Sequence, residues 1–168
     1  MTTTKIPFER AVRDHGPTVL RVCRAALGNG PDADDAYSET FLAALRRWPD
    51  LAADTNIEAW LVRVSGRKAI DILRARSRQA IPFGDLPDLG SPIGDPGVID
   101  DDPWTAVAAL PQQQRLAIAY HYFGGLTHAD TAELIGSNAA AVRRAAADGI
   151  ATLRRRYRVA AQQEGPHR

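Results

Sequence analysis

The sequence contains a single cysteine, Cys23, among its 168 residues. One cysteine excludes an intramolecular disulfide and any zinc site built from several thiolates, and it fits a reducing compartment. The sequence also lacks an apolar run long enough to span a bilayer, and its first residues, MTTTKIPFER, lack the apolar segment of a signal peptide. We therefore expect a soluble, cytoplasmic protein.

Strand patterns are nearly absent as well. Apolar residues recur instead at helical spacing, which predicts an all-α protein. The predicted helical stretches are Phe8 to Leu27, Asp32 to Trp48, Ile57 to Arg78, Trp104 to Phe123 and Leu126 to Tyr157.

Residues 82–103 have no Lys or Arg but carry six Asp, five Pro and four Gly. Proline this dense removes backbone donors and prevents a helix, so the segment is predicted to be an extended acidic linker. It separates a helical domain at 1–81 from a second one at 104–160, and residues 161–168 form a frayed tail. We expect the two domains to bury their apolar faces separately, so that a partner sets their relative orientation.

The net charge of +1 hides a strong asymmetry along the chain. Residues 1–81 carry thirteen basic against ten acidic residues, and residues 104–168 carry eight against four. Basic domains on both sides of an acidic linker indicate a polyanionic partner for each domain.

Residues 126–157 are typical of a helix-turn-helix. Thr127 is placed to cap a first helix, with Asp130 three positions later in a pattern like a capping box. Gly136 predicts the end of that helix, because glycine adopts positive φ at little cost. One of two adjacent polar residues, Ser137 or Asn138, is predicted to cap the second helix.

The second helix of this motif separates an apolar face from a basic one. The residues expected to be buried lie within about 100° of one another on the helical wheel: Val142, Ala146, Gly149, Ile150, Leu153 and Tyr157. Arg144 lies opposite them with Arg143 on its flank, as in a helix that enters the major groove of DNA. The alternative is a plain helical hairpin with solvated arginines.

The predicted helix from Ile57 to Arg78 also has two chemically different faces. Leu61, Val62, Ala69, Ile72 and Leu73 are expected to face the core. Four arginines lie within about 60° on another side and form a row suited to phosphates: Arg63, Arg67, Arg74 and Arg78. Few acids on the same helix compensate them, which favours nucleic acid over a merely solvated face.

Trp60 lies at the edge of this basic face. It is placed to stack on an unpaired base, but the favoured interpretation is that it anchors the core. Asp32, Asp34, Asp35 and Glu39 crowd the start of the preceding helix. Acids there stabilise the helix dipole, and their number also indicates a basic protein partner.

An enzymatic reading has little support. His121, His128, Asp130 and Glu133 combine imidazoles with carboxylates, but their spacing does not place three metal ligands on one helical face. No activated nucleophile or phosphate-binding glycine loop is evident. The sequence predicts neither a metal nor a cofactor.

Three blocks, in this order and spacing, resemble a bacterial extracytoplasmic-function (ECF) sigma factor: DADDAYSETFLAAL, AWLVRVSGRKAIDILR and ALPQQQRLAIAYHYFGGLTHADTAELIG. The similarity extends from about Phe8 to Tyr157. It implies two helical domains, regions two and four, joined by an extended linker. The implied activity is to bind core RNA polymerase, recognise and melt promoter DNA and start transcription, and an anti-sigma protein is compatible with it. A sigma-like regulator or adaptor that keeps the fold without promoter melting is the alternative.

The resemblance also implies residue roles. It places contacts with polymerase at Asp34, Asp35, Glu39, Phe41 and Leu42. It places contacts with the minus-ten element at Asn56, Trp60, Arg63, Arg67 and Lys68. Arg74 is predicted to bind DNA from its place in the arginine row. The resemblance places contacts with the minus-thirty-five element at Thr127, His128, Asn138, Ala140, Ala141, Arg143 and Arg144.

The chain departs from the family pattern at several positions. Gly66 precedes Arg67 where the family has an Arg-Asn pair, and a glycine inside a helix costs about 1 kcal/mol relative to alanine. Ala145 and Asp148 replace residues that are commonly basic, which predicts weaker phosphate contacts.

Overall fold

The structure is a computed structural model that describes residues 4–79 and 103–163. Within these ranges it consists of helices, as the sequence predicts. They are α1 (Phe8–Leu27), α2 (Pro31–Arg47), α3 (Ile57–Gln79), α4 (Pro103–Ala108), α5 (Gln112–Ala117), α6 (His128–Ile135) and α7 (Ala139–Gln163). A 3₁₀ turn, Trp48–Asp50, follows α2, and a π-helical segment, Ile118–Phe123, continues α5.

Glycine and proline set the helix boundaries at the start of the chain. Gly28 has a φ of 89° and its backbone N–H donates to Arg24 O, which ends α1. Pro31 occupies the first turn of α2, where its missing N–H costs nothing.

The predicted continuous helix from Trp104 to Phe123 is wrong at one point. Pro111 interrupts it and becomes the N-cap of α5. Proline disfavours the helical conformation of the residue before it, here Leu110. The predicted tail at 161–168 is corrected in part, since α7 continues to Gln163, and residues 164–168 lie outside the described residues. The predicted linker also lies outside them, except for Pro103.

One hydrophobic core extends through both parts of the chain. Val22 and Cys23 on α1 belong to the same buried cluster as Val107 on α4 and Tyr120 on the π-helical segment. The expectation of separate apolar faces is therefore wrong. The buried residues of α1 cover roughly 200° of its circumference. Helix α1 packs on α4 and on the π-helical segment as well as on α2 and α3.

Candidate nucleic-acid interface

The helix-turn-helix forms with the predicted caps. Thr127 Oγ1 accepts a hydrogen bond of 3.0 Å from the backbone N–H of Asp130. Gly136 ends α6 in the left-handed conformation, with φ 71° and ψ 43°. Of the two candidates for the second cap, the structure selects Asn138, whose Oδ1 accepts from Ala141 N at 2.9 Å.

The basic face of α7 lies on the surface. Arg143, Arg144 and Ala140 are exposed, and Ala141 is half-buried. Behind them, Val142 and Ala146 are buried in a cluster with Ala117 and Ala132. The arginines are thus presented outward by a packed helix.

Burial along α7 weakens toward its end. A β-carbon on the buried Gly149 would lie 2.5 Å from Ile118 Cδ1, so that glycine permits close packing of α7 on the π-helical segment. Further along, Ile150 and Leu153 are only half-buried. The predicted burial of Tyr157 is wrong, because its side chain is 48% exposed.

His121 and His128 stack on each other at the base of the motif. Their ring centroids are 3.9 Å apart and nearly parallel, and His121 Nδ1 donates to Leu126 O at 2.6 Å. Partial burial, with the nearby His121 and Arg143, lowers the pKa of His128. In residues 4–79 and 103–163, no three His, Cys, Asp or Glu side chains are placed to hold a metal ion.

The arginines of the α3 row differ in whether a carboxylate lies beside them. Arg67, Arg74 and Arg78 are exposed, and no carboxylate in the described ranges lies within ion-pair distance of them. Arg63 instead pairs with Asp130 on α6 at 2.9 Å. The acid that compensates Arg63 thus comes from another helix and not from α3 itself.

Lys68 and Arg76 make similar contacts to α2. Lys68 Nζ lies 3.7 Å from Glu39 Oε2, and Arg76 Nε donates to Asp32 Oδ2 at 2.6 Å. Lys68 and Glu39, predicted to contact DNA and polymerase respectively, thus face each other.

Asn56 and Trp60 both have structural roles at the start of α3. Asn56 Oδ1 accepts from Ala59 N at 3.1 Å and so caps the helix. Trp60 is half-buried against the core, with its ring centroid 6.4 Å from that of Trp48. This position favours the core-anchor interpretation of Trp60.

The acidic helix α2 presents a mixed surface. Asp34, Asp35 and Glu39 are exposed, while Leu42 and Leu45 are 55% and 51% exposed. Leu45 was not predicted from the sequence, although its position three residues after Leu42 places it on the same face. Phe41, which was also predicted to contact polymerase, is less exposed than these leucines. It is half-buried in edge-to-face contacts with Tyr37 and Phe8.

Helix α6 packs directly on the basic helix α3. A β-carbon at Gly66 would lie 2.5 Å from Leu134 Cδ2 and 3.2 Å from its Cγ, so glycine makes room for the leucine. Beside this contact, a β-carbon at Gly124 would lie 2.7 Å from Val62 Cγ1. The sequence departure at Gly66 therefore has a packing explanation that involves the other half of the chain.

A second set of contacts joins α4 to α1. Asn29 Nδ2 donates to Thr105 Oγ1 at 3.0 Å, and the Arg21 guanidinium lies 6.0 Å from the centre of a Trp104 ring. Together with the α3–α6 contact, these contacts hold the part of the chain that contains α3 against the part that contains the helix-turn-helix.

None of the described helices is long and apolar enough to cross a membrane.

Comparison with known families accounts for both halves. Residues 11–79 match the family described as Sigma-70 region 2, and residues 104–159 match Sigma-70, region 4. The sequence is 30% identical to the ECF RNA polymerase sigma factor ShbA of Streptomyces griseus, over 82% of this chain and 81% of that protein. It is 29% identical to the ECF RNA polymerase sigma factor SigM of Mycobacterium tuberculosis, over 88% of this chain and 76% of that protein.

Solved structures share the fold. The sigma factor RpoE, determined with the anti-sigma factor NepR from Bartonella quintana, superposes with a TM-score of 0.65 at 17% identity, covering 90% of this chain and 97% of RpoE. CnrH, determined with the cytosolic domain of CnrY, gives 0.55 at 24% identity, covering 87% and 86%. The order of the two matched regions and the similarity over most of two curated relatives show that the chain belongs to the ECF sigma factors of RNA polymerase.

Proposed function

We propose that this chain acts in the cytoplasm as a promoter-recognition subunit, which binds core RNA polymerase and directs promoter recognition, melting and transcription initiation. It acts by binding, and it supplies no catalytic group. The observation that carries the proposal is the exposed arginine row Arg67, Arg74 and Arg78 on a helix of the region-2 domain. Unpaired cations in a row are suited to the phosphates of promoter DNA.

Each surface has a proposed role. The exposed acids of α2, with Leu42 and Leu45, bind polymerase, since an apolar patch ringed by charge is typical of a protein interface. The α3 row contacts the minus-ten region. Arg143 and Arg144 carry most of the minus-thirty-five contact, because the neighbouring Ala140 and Ala141 offer only methyl groups to thymine.

The proposed domains are residues 1–81 and 104–160, with the acidic segment 82–103 between them. That segment would enter the basic channel that holds RNA in the polymerase, where its six Asp are electrostatically favourable. An anti-sigma protein is a further proposed partner.

In vitro transcription tests the function. Purified chain added to core polymerase is expected to start transcripts from a subset of promoters in a library. Absence of promoter-dependent transcripts across the library contradicts the proposal.

One observation favours a second candidate, an adaptor that keeps the fold without melting promoters. Arg63 and Lys68 are already paired with carboxylates, which reduces the free charge on the melting helix. The double variant Arg63→Ala/Arg67→Ala distinguishes the two functions. A sigma factor loses open-complex formation, measured by permanganate reactivity of unpaired thymines, whereas an adaptor is unaffected at that step. Arg10→Ala/Arg13→Ala removes the same charge from exposed positions on α1 and is the matched control.

A further inference from the structure

We propose that Lys5 is a positioning residue for promoter recognition: its ammonium group anchors the exposed loop 51–56 beside the start of α3, and this anchoring strengthens the preference for the minus-ten sequence. The inference rests on the proposed function. The family match assigns Lys5 no role, because Lys5 precedes residues 11–79, which match Sigma-70 region 2.

The side chain of Lys5 contacts three backbone carbonyl groups at the point where α2 and its 3₁₀ turn end. Its Nζ donates to Trp48 O, to Leu51 O at 2.9 Å and to Pro49 O at 3.3 Å. The ammonium also lies 5.6 Å from the centre of the Trp48 ring. The last carbonyls of a helix lack donors within the helix, and lysine offers three rotatable donors with the positive charge that this end of the helix dipole favours. One side chain near the start of the chain thus fixes the backbone that leaves α2.

Two further contacts connect the same part of the chain to the start of α3. The Trp48 ring packs edge-to-face on Phe8, with 5.3 Å between centroids, and lies 6.4 Å from the ring of Trp60 on α3. On α1, His15 Nδ1 lies 3.1 Å from Oε2 of Glu58, in the first turn of α3. The N-terminal segment and α1 therefore contact both elements that the loop joins.

The loop between these contacts is exposed at its tip. Thr55 N donates to Ala52 O at 3.1 Å and closes a turn, and the side chains of residues 52–54 are exposed. Lys5 fixes the beginning of the loop at Leu51, while its end is fixed by Asn56, which caps α3. The loop is thus anchored at both ends, and its tip remains accessible to a ligand.

Anchoring the loop in advance affects the choice between promoters. The family resemblance implies minus-ten contact by Asn56, at the end of the loop, and by Trp60, one turn later. A loop that becomes ordered only on binding loses part of its contact energy to that ordering. A promoter with the matching bases makes the contact and incurs this cost, whereas a promoter with other bases makes neither. Without Lys5, binding to the matching promoter is therefore weakened more than binding to the other.

The first test measures promoter discrimination by the full chain with core polymerase. Lys5→Met removes the ammonium and keeps most of the aliphatic stem. The readout is open-complex formation on a promoter that the unmodified chain uses, divided by that on the same promoter with a substituted minus-ten element. We expect this ratio to fall about three- to tenfold in Lys5→Met, with unchanged affinity for core polymerase. A smaller folded fraction lowers both values equally and leaves the ratio unchanged.

Arg13→Met is the matched control, since it removes a cation from an exposed position on α1. It is expected to leave the ratio unchanged. An unchanged ratio in Lys5→Met overturns the inference, and so does an equal fall in both variants.

Chemical restoration of the ammonium provides the second test. Alkylation of Lys5→Cys with bromoethylamine gives an ammonium at nearly the length of lysine, whereas iodoethane gives a neutral side chain of similar size. The native Cys23 is 1% exposed and burial raises the pKa of its thiol to about 12, which protects it from both reagents. Only the aminoethylated chain is expected to regain the ratio of the unmodified chain. Equal ratios for the two alkylated chains contradict a role for the charge of Lys5.

Hydrogen exchange in the free chain separates failure of this inference from failure of the proposed function. The amides of Leu51 and Thr55, which donate within the turns, are expected to exchange about tenfold faster in Lys5→Met than in the unmodified chain. Equal exchange rates overturn the inference. If the unmodified chain opens no promoter, the proposed function fails instead, and the exchange rates still decide whether Lys5 anchors the loop.

Discussion

His128 is the first residue of α6, and its ring stacks on His121. Protonation of His128 places a positive charge beside that ring and near Arg143, in a partly buried position. Burial of the ring, together with His121 and Arg143, lowers its pKa from the ordinary value of 6.5. The folded chain therefore binds fewer protons at this site than the unfolded chain as the pH falls through that value.

The lowered pKa of His128 predicts a stability that depends on pH. The contribution of neutral His128 to the free energy of unfolding is fully present above about pH 6.5. It is lost as the pH falls below that value and His128 becomes protonated. Urea unfolding of the full chain and of His128→Gln, measured between about pH 5 and 8, isolates the effect. The variant is expected to show a shallower loss of stability on acidification. Identical pH profiles of the two chains would contradict the assignment.

Individual cations illustrate what sequence can and cannot predict at this scale. The helical wheel placed Arg67 and Arg74 on the exposed face of α3, where they lie. It could not predict that Arg63 pairs with Asp130, because residues so far apart in sequence meet only through tertiary packing. Lys68 and Glu39 are a second example, on two helices analysed separately.

At the scale of elements, local signals determine most of the helices. The predicted α1 has the observed bounds, because Gly28 and Pro31 end one helix and begin the next. The cap at Thr127 and the left-handed Gly136 were predictable for the same reason. The break at Pro111 was missed because apolar periodicity continues through it.

The cap of α7 gives a prediction with a control in the adjacent residue. Asn138→Ala is expected to lower the free energy of unfolding by about 1 kcal/mol, because Ala141 N loses its acceptor. Ser137→Ala removes a comparable side chain that makes no cap and is expected to stay within about 0.5 kcal/mol. Urea titration of both variants measures the difference. A larger loss for Ser137→Ala would mean that the cap is assigned to the wrong residue.

At the scale of the whole molecule, the two regions share one core. Val107 in the region-4 half is buried together with Val22 on α1. No sequence pattern predicted this, since both halves have enough apolar residues to suggest separate cores. The broad buried face of α1 is evident only in the folded chain, where helices from both halves pack on it.

A shared core predicts cooperative unfolding. Trp48 and Trp60 report on the region-2 half and Trp104 on the region-4 half, so Trp104→Phe separates the two fluorescence signals. Both signals are expected to change in one transition. Val107→Ala is expected to lower the stability reported by Trp48 and Trp60 by about 2 kcal/mol. Two separate transitions, or a loss confined to the Trp104 signal, would show that the halves unfold independently.

The order of Gly66 and Leu134 along the chain has a consequence for protein synthesis. The ribosome completes α3 well before it reaches the residues that pack on it. At ordinary translation rates the interval is roughly 3 to 10 s. During that time Arg63 and Gly66 on α3 are exposed, because α6 does not yet exist to pack on them. A newly made chain therefore passes through a stage in which this face of α3 is open, before α6 packs on it.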